Sequence, residues 1–118
     1  AQPLLTPVDV AALYVGTGRF RQADALLAPL VRVGTPGARR TALRYQILSL
    51  RHQRRHAEAL AAARRLRALA AAVDPGAGAL VEATAEAQVR LDAGDARGAA
   101  ALFDSAAAAP LPPSLPAG

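Results

Sequence analysis

The sequence predicts an all-α chain built as a stack of three antiparallel helical hairpins. Three observations carry this reading. Apolar residues make up 53% of the 118 residues, and most are Ala or Leu, side chains that enter a helix at little entropic cost. β-branched residues are sparse, and no stretch alternates apolar with polar over strand length. Three steps to proline, Thr6-Pro7, Thr35-Pro36 and Asp74-Pro75, mark three helix starts along the chain.

Each of these steps pairs an N-cap side chain with proline at the first helical position. The cap oxygen accepts a bond from an orphan backbone N–H, and proline lacks the N–H that would be orphaned there. Between them lie tighter breaks: Gly16-Thr17-Gly18, the polar stretch His52 to Arg55, and Gly94-Asp95. These read as turns within hairpins. The predicted helices are 7–16, 19–33, 36–53, 55–73, 76–93 and 95–108. Pro29 falls inside the second and should kink it or end it early. Apolar stripes of period 3.6 support the rest. They run Leu43, Ile47, Leu50, then Ala59, Ala63, Leu66, Ala70, then Leu80, Ala83, Ala87, Leu91, and finally Ala96, Ala99, Phe103, Ala106. The helical domain is therefore expected over residues 1–109, with hairpins near 7–33, 36–73 and 75–109. Residues 110–118 form a proline-rich linker or tail.

Charge narrows the functional classes. The formal net charge is +5, and all 14 basic residues are Arg. That bias, with abundant Ala, Gly and Pro, points to a GC-rich bacterial genome. Residues 1–59 hold nine Arg against Asp9, Asp24 and Glu58, so a local basic surface is better supported than a uniformly basic protein. Cysteine is absent, which excludes disulfides and thiolate metal sites and leaves the compartment open. The longest apolar runs, near 68–73 and 105–113, are too short to span a bilayer.

Aligning the hairpins by their turns exposes a repeat. Gly18-Arg19-Phe20-Arg21-Gln22-Ala23 matches Arg54-Arg55-His56-Ala57-Glu58-Ala59 and Gly94-Asp95-Ala96-Arg97-Gly98-Ala99, and Leu27, Ala63 and Phe103 follow four residues after each final Ala. A small residue after the turn lets paired helices approach closely, and Ala23, Ala59 and Ala99 should be buried there. The pattern resembles the tetratricopeptide repeat (TPR), a helical hairpin with an Ala-x3-Phe core and a terminal Pro. The unit from Val10 to Pro36 places Tyr14, Gly18, Phe20, Ala23 and Leu27 at the family's spacing. The second unit departs most, with Arg54 for the turn Gly and His56 in the aromatic slot. The resemblance covers residues 7–110 and implies a right-handed α-solenoid that binds a protein or peptide in its concave groove. Such an array would be a segment of a larger bacterial regulator or scaffold. An unpaired face on the last helix, bearing Ala100, Leu102 and Ala107, would favour self-association.

Catalytic and metal chemistry find little foothold. His52 and His56 are four apart but straddle a predicted turn, and no third ligand is evident. Gly16-Thr17-Gly18 follows a helix and lacks the Lys of a phosphate loop. Ser49, Ser105 and Ser114 lie in no recognisable nucleophile setting, and Asp92 and Asp95 are expected to cap the next helix. No catalytic residue, metal or cofactor is expected.

The Arg cluster of the second hairpin is the feature with functional reach. Arg44, Leu48 and Arg51 share a face of the first helix of that hairpin. The resemblance implies that they face the groove with His52, while the third hairpin contributes Thr84, Gln88 and Asp92. A mixed groove with a cationic end suits an acidic or C-terminal peptide segment. Nucleic acid is the alternative partner, disfavoured because the basic region holds one aromatic, Tyr45, for base stacking.

Overall fold

A computed structural model describes residues 6–74 and 77–108, with side chains described over 6–74 and 82–105. Among these residues there are six α-helices and no strand. They are α1 (Pro7–Gly16), α2 (Phe20–Leu30), α3 (Pro36–His52), α4 (His56–Val73), α5 (Ala77–Asp92) and α6 (Ala96–Ala108). Each helix packs on its neighbours in sequence, and α3 also touches both α1 and α5.

The caps form as their chemistry requires. Thr6 accepts from the Asp9 amide while the Asp9 carboxylate accepts from the Thr6 amide at 2.9 Å, a reciprocal box that satisfies two orphan donors. Thr35 accepts from Ala38 N–H at 3.2 Å, with Pro36 at the first helical position. α2 ends at Leu30, one residue past Pro29, which lies within its last turn. Asp74 closes α4 with an extended backbone, and α5 begins at Ala77. Pro75, Gly76 and the predicted tail at 110–118 lie outside the described residues.

The three hairpin turns are copies of one another. In each, a residue of left-handed φ follows the helix: Gly18 at 77°, Arg54 at 57° and Gly94 at 87°. The next amide reaches back five residues, from Arg19 to Tyr14 (2.7 Å), Arg55 to Leu50 (3.0 Å) and Asp95 to Arg90 (2.8 Å). The left-handed residue itself donates to Val15, Arg51 and Leu91 respectively. This is the Schellman arrangement, which satisfies the last carbonyls of a helix and sets the angle at which the next one returns. Ala23, Ala59 and Ala99, aligned by the turns, are all at most 1% exposed.

Two stripes rotate away from expectation. α3 and α4 bury Leu43, Ile47, Leu50, Ala59, Ala63, Leu66 and Ala70 as predicted. On α5, Ala83 and Ala87 are buried but Leu91 is exposed, and Glu82, Glu86 and Val89 turn inward instead. The cause is electrostatic, since both glutamates meet arginines of the second hairpin. On α6, Ala99 is buried, whereas Ala96 and Phe103 are exposed. Of the expected unpaired face, Ala100 is exposed, Leu102 is half-buried, and the Ala107 side chain lies outside the described residues. Among the described residues, no helix is long and apolar enough to cross a membrane.

Two outcomes follow from this packing. Ala99→Leu should lower stability by about 1–3 kcal/mol through overpacking, whereas Ala100→Leu, one residue on and exposed, should change it by less than about 0.5 kcal/mol; paired urea denaturation curves check the contrast. Arg54→Gly should raise stability by about 0.5–1 kcal/mol, the relief of a side chain in the left-handed region less the added freedom of glycine in the unfolded chain. A thermal melt of the variant below that of the parent would count against it.

Candidate functional site

The second hairpin brings its basic side chains to α5. Arg40 and Arg44 of α3 both reach one oxygen of Glu82, whose side chain is 4% exposed. Arg51 of α3 pairs with Asp92 at the far end of α5. From α4, Arg67 lies 3.1 Å from Glu86, which also pairs with Arg90 at 3.2 Å. Burial of Glu82 and Glu86 is tolerable because each meets two guanidiniums. Two glutamates thus serve four arginines. Charge is reduced along this face without being cancelled.

Between α3 and α5 runs an open groove of about 610 Å³ lined by Arg44, Ile47, Leu48, Arg51, Glu82, Thr84, Ala85 and Gln88. Ile47, Leu48 and Ala85 supply its apolar wall. Of the residues singled out from sequence, Arg44, Leu48, Arg51, Thr84 and Gln88 are brought together here. Arg44 remains about half exposed, so guanidinium donors not used on Glu82 are open to a ligand.

His52 goes elsewhere. It stacks on Phe20 of α2, with ring centroids 5.7 Å apart and planes 10° from parallel. It lines a neighbouring bowl of about 590 Å³ with Leu48, Arg51, Arg54, His56 and Asp92. Asp92 does not cap α6, as expected from sequence, but is held by Arg51 and, at 3.4 Å, by Gln88. Asp95 does cap it, accepting from Gly98 N–H at 2.9 Å. A methyl group at Gly98 would collide with that carboxylate, which explains the glycine in a first helical turn.

Sequence reasoning missed Glu82, and it met Arg54 and His56 only as departures from the repeat. A signal for Glu82 existed in the charge distribution: a hairpin with nine Arg and one Glu is followed by a helix with three carboxylates. A second polar cluster joins the first two hairpins. Asp24 accepts from the buried Ser49 hydroxyl at 2.8 Å, from Gln53 at 3.0 Å and from Arg55 at 3.3 Å. Ser49 is thereby a structural donor. Among the described residues, no group of His, Asp and Glu could hold a metal ion.

Comparison with known proteins adds no relative: no family model, curated protein or solved structure matches the chain.

Three carboxyls are held below their ordinary range. The Arg51 guanidinium does this to Asp92, the Gly98 amide and then Arg90 to Asp95, and the Thr6 amide to Asp9. Such groups bind protons less readily folded than unfolded, so their contribution is present above the unfolded value near 3.9 and is lost as pH falls through the lower folded values. Melting temperature should therefore fall more steeply below about pH 4 than above it. Asp92→Asn should flatten that descent, and thermal melts between neutral and acid pH that superimpose for parent and variant would refute the assignment.

Proposed function

We propose that the chain is a non-catalytic interaction module. In this reading its three hairpins stack as a right-handed solenoid of tetratricopeptide type, and the groove between α3 and α5 receives an extended acidic or C-terminal segment of a partner protein. The observation that carries the reading is the groove's composition. An apolar wall of Ile47, Leu48 and Ala85 lies between two guanidiniums, Arg44 and Arg51, that keep donors beyond those used on Glu82 and Asp92. The three copies of one turn and the contacts of α3 with both α1 and α5 support the stacking. First helices that touch in series would line one surface, as the resemblance implies. The segment would belong to a larger bacterial regulator or scaffold.

Arg44 and Arg51 are seven residues apart, about 10 Å along the helix axis, which matches three residues of an extended peptide. Main-chain and acidic side-chain groups of such a peptide could engage both while an apolar side chain rests on Leu48. The pairing with α5 alters the choice of variant. Arg44→Gln would leave buried Glu82 with Arg40 alone and lower stability as well as binding. Arg51→Gln is cleaner, because Asp92 is a quarter exposed and keeps Gln88.

Arg51→Gln should weaken an acidic peptide ligand by about 1.5–3 kcal/mol, the value of a hydrogen bond to a charged group. Fluorescence anisotropy with an acidic peptide library, and with single-stranded DNA at two salt concentrations, tests the reading. Peptide binding that responds to Arg51→Gln sustains it. Failure of every peptide together with DNA binding of steep salt dependence would transfer the function to nucleic acid.

A further inference from the structure

Two residues of the second hairpin's turn, Arg54 and His56, line one bowl and are not what the turn or the packing asks for. The first is Arg54, in the left-handed turn position where the other hairpins have Gly18 and Gly94. The hydrogen bonds around the three turns are alike, so the backbone there demands nothing that glycine would not supply more easily. The second is His56, two residues on, where the first hairpin has Phe20. Its Nδ1 is buried and has no hydrogen-bond partner among the described residues. A strained backbone and an unsatisfied ring nitrogen are both unfavourable to the fold, and such features concentrate where a ligand is held.

The bowl joins Arg54 and His56 to Arg51 and His52, with Leu48 and Asp92 completing the lining. Its one carboxylate, Asp92, is already engaged by Arg51 and Gln88. Arg54 makes no ion pair among the described residues. The Phe20 ring fixes the plane of His52. Two guanidiniums and two imidazole rings border one open volume, and even without the buried His56 Nδ1 they hold several N–H donors. That number exceeds what the two oxygens of a planar carboxylate can accept at once and suits the oxygens of a tetrahedral anion.

We propose that this bowl binds a phosphate monoester dianion. Arg54 supplies the uncompensated charge. Arg51 uses donors left over from Asp92, and the two imidazoles donate from the sides. The proposal goes beyond the peptide groove and stands without it, since the phosphoryl site is complete in the second hairpin and the end of α5.

The probe is inorganic phosphate, followed by phenyl phosphate, with acetate as the carboxylate control at constant ionic strength. The chain has two histidines, so their imidazole resonances report the bowl directly by NMR. Saturable shifts of both rings with phosphate and phenyl phosphate, and none with acetate, are expected. Arg54→Gly should weaken phosphate binding at least tenfold while its melting temperature rises, a combination that a merely structural role for Arg54 would not give. His56→Phe, which restores the ring of the first hairpin, should also lose binding and remain folded. Acidic-peptide binding should survive in Arg54→Gly, which leaves the groove lining intact, so a failed groove and a failed bowl are told apart. Unchanged phosphate affinity in Arg54→Gly, equal shifts with acetate, or no shift with phosphate would each overturn the proposal.

Discussion

An alanine core obliges helices to approach closely, and much of this structure follows from that obligation. Among the described residues, ten of the eighteen buried apolar ones are Ala. Each contributes little apolar area, so stabilisation depends on backbones coming near enough for methyl groups to meet helix surfaces across the interface. The turns deliver that proximity. A left-handed residue and two back-reaching hydrogen bonds reverse the chain in a fixed geometry, and the first buried Ala follows five residues after the left-handed one in all three hairpins. Were the turn geometry to vary, Ala23, Ala59 and Ala99 could not occupy equivalent places.

The third hairpin is held by more than this core. The contiguous core runs through the first four helices and takes in Val89 from α5, with Ala85 against it. Ion pairs complete the attachment. Glu82 meets Arg40 and Arg44, Glu86 meets Arg67, and Asp92 meets Arg51, so each acid of α5 reaches back to the second hairpin. Exposed pairs stabilise little on their own, but here the two glutamates are removed from water, and losing their partners would leave charge buried. Attachment and site are therefore made from the same residues. The side chains that fasten α5 also border the groove, and the arginine excess that remains gives both groove and bowl their cationic character.

Helix positions were legible in the sequence because local chemistry sets them. Thr6-Pro7 and Thr35-Pro36 start helices where they stand, Pro29 lies in the last turn of one, and the glycines mark two of the three turns. Helix rotation was less legible. A stripe read from apolar residues assumes that charges face water, and on α5 Glu82 and Glu86 break that assumption while Leu91 is left exposed. Alanine deepens the ambiguity, since it is nearly as acceptable outside as in: Ala96 is exposed and Ala99 buried on the same helix. Five of the seven candidate groove residues share one lining, Asp92 and His52 lying in the neighbouring bowl, yet their ion pairing was invisible, because partners in such pairs lie about forty residues apart and follow no period. His52 was misplaced for a related reason. Its aromatic contact, Phe20, lies in another hairpin.

Repetition within one chain supplies its own reference state. Gly18 and Gly94 establish what residue this turn accommodates without strain, and Phe20 shows what can fill the slot two positions later. Against that internal standard, Arg54 and His56 are departures with a physical cost that can be stated: a Cβ in the left-handed region and a buried ring nitrogen without a partner. They stand two residues apart and border one concavity with Arg51 and His52. The same turn that sets helix spacing in all three hairpins thus carries, in the middle one, a side chain the fold itself does not require.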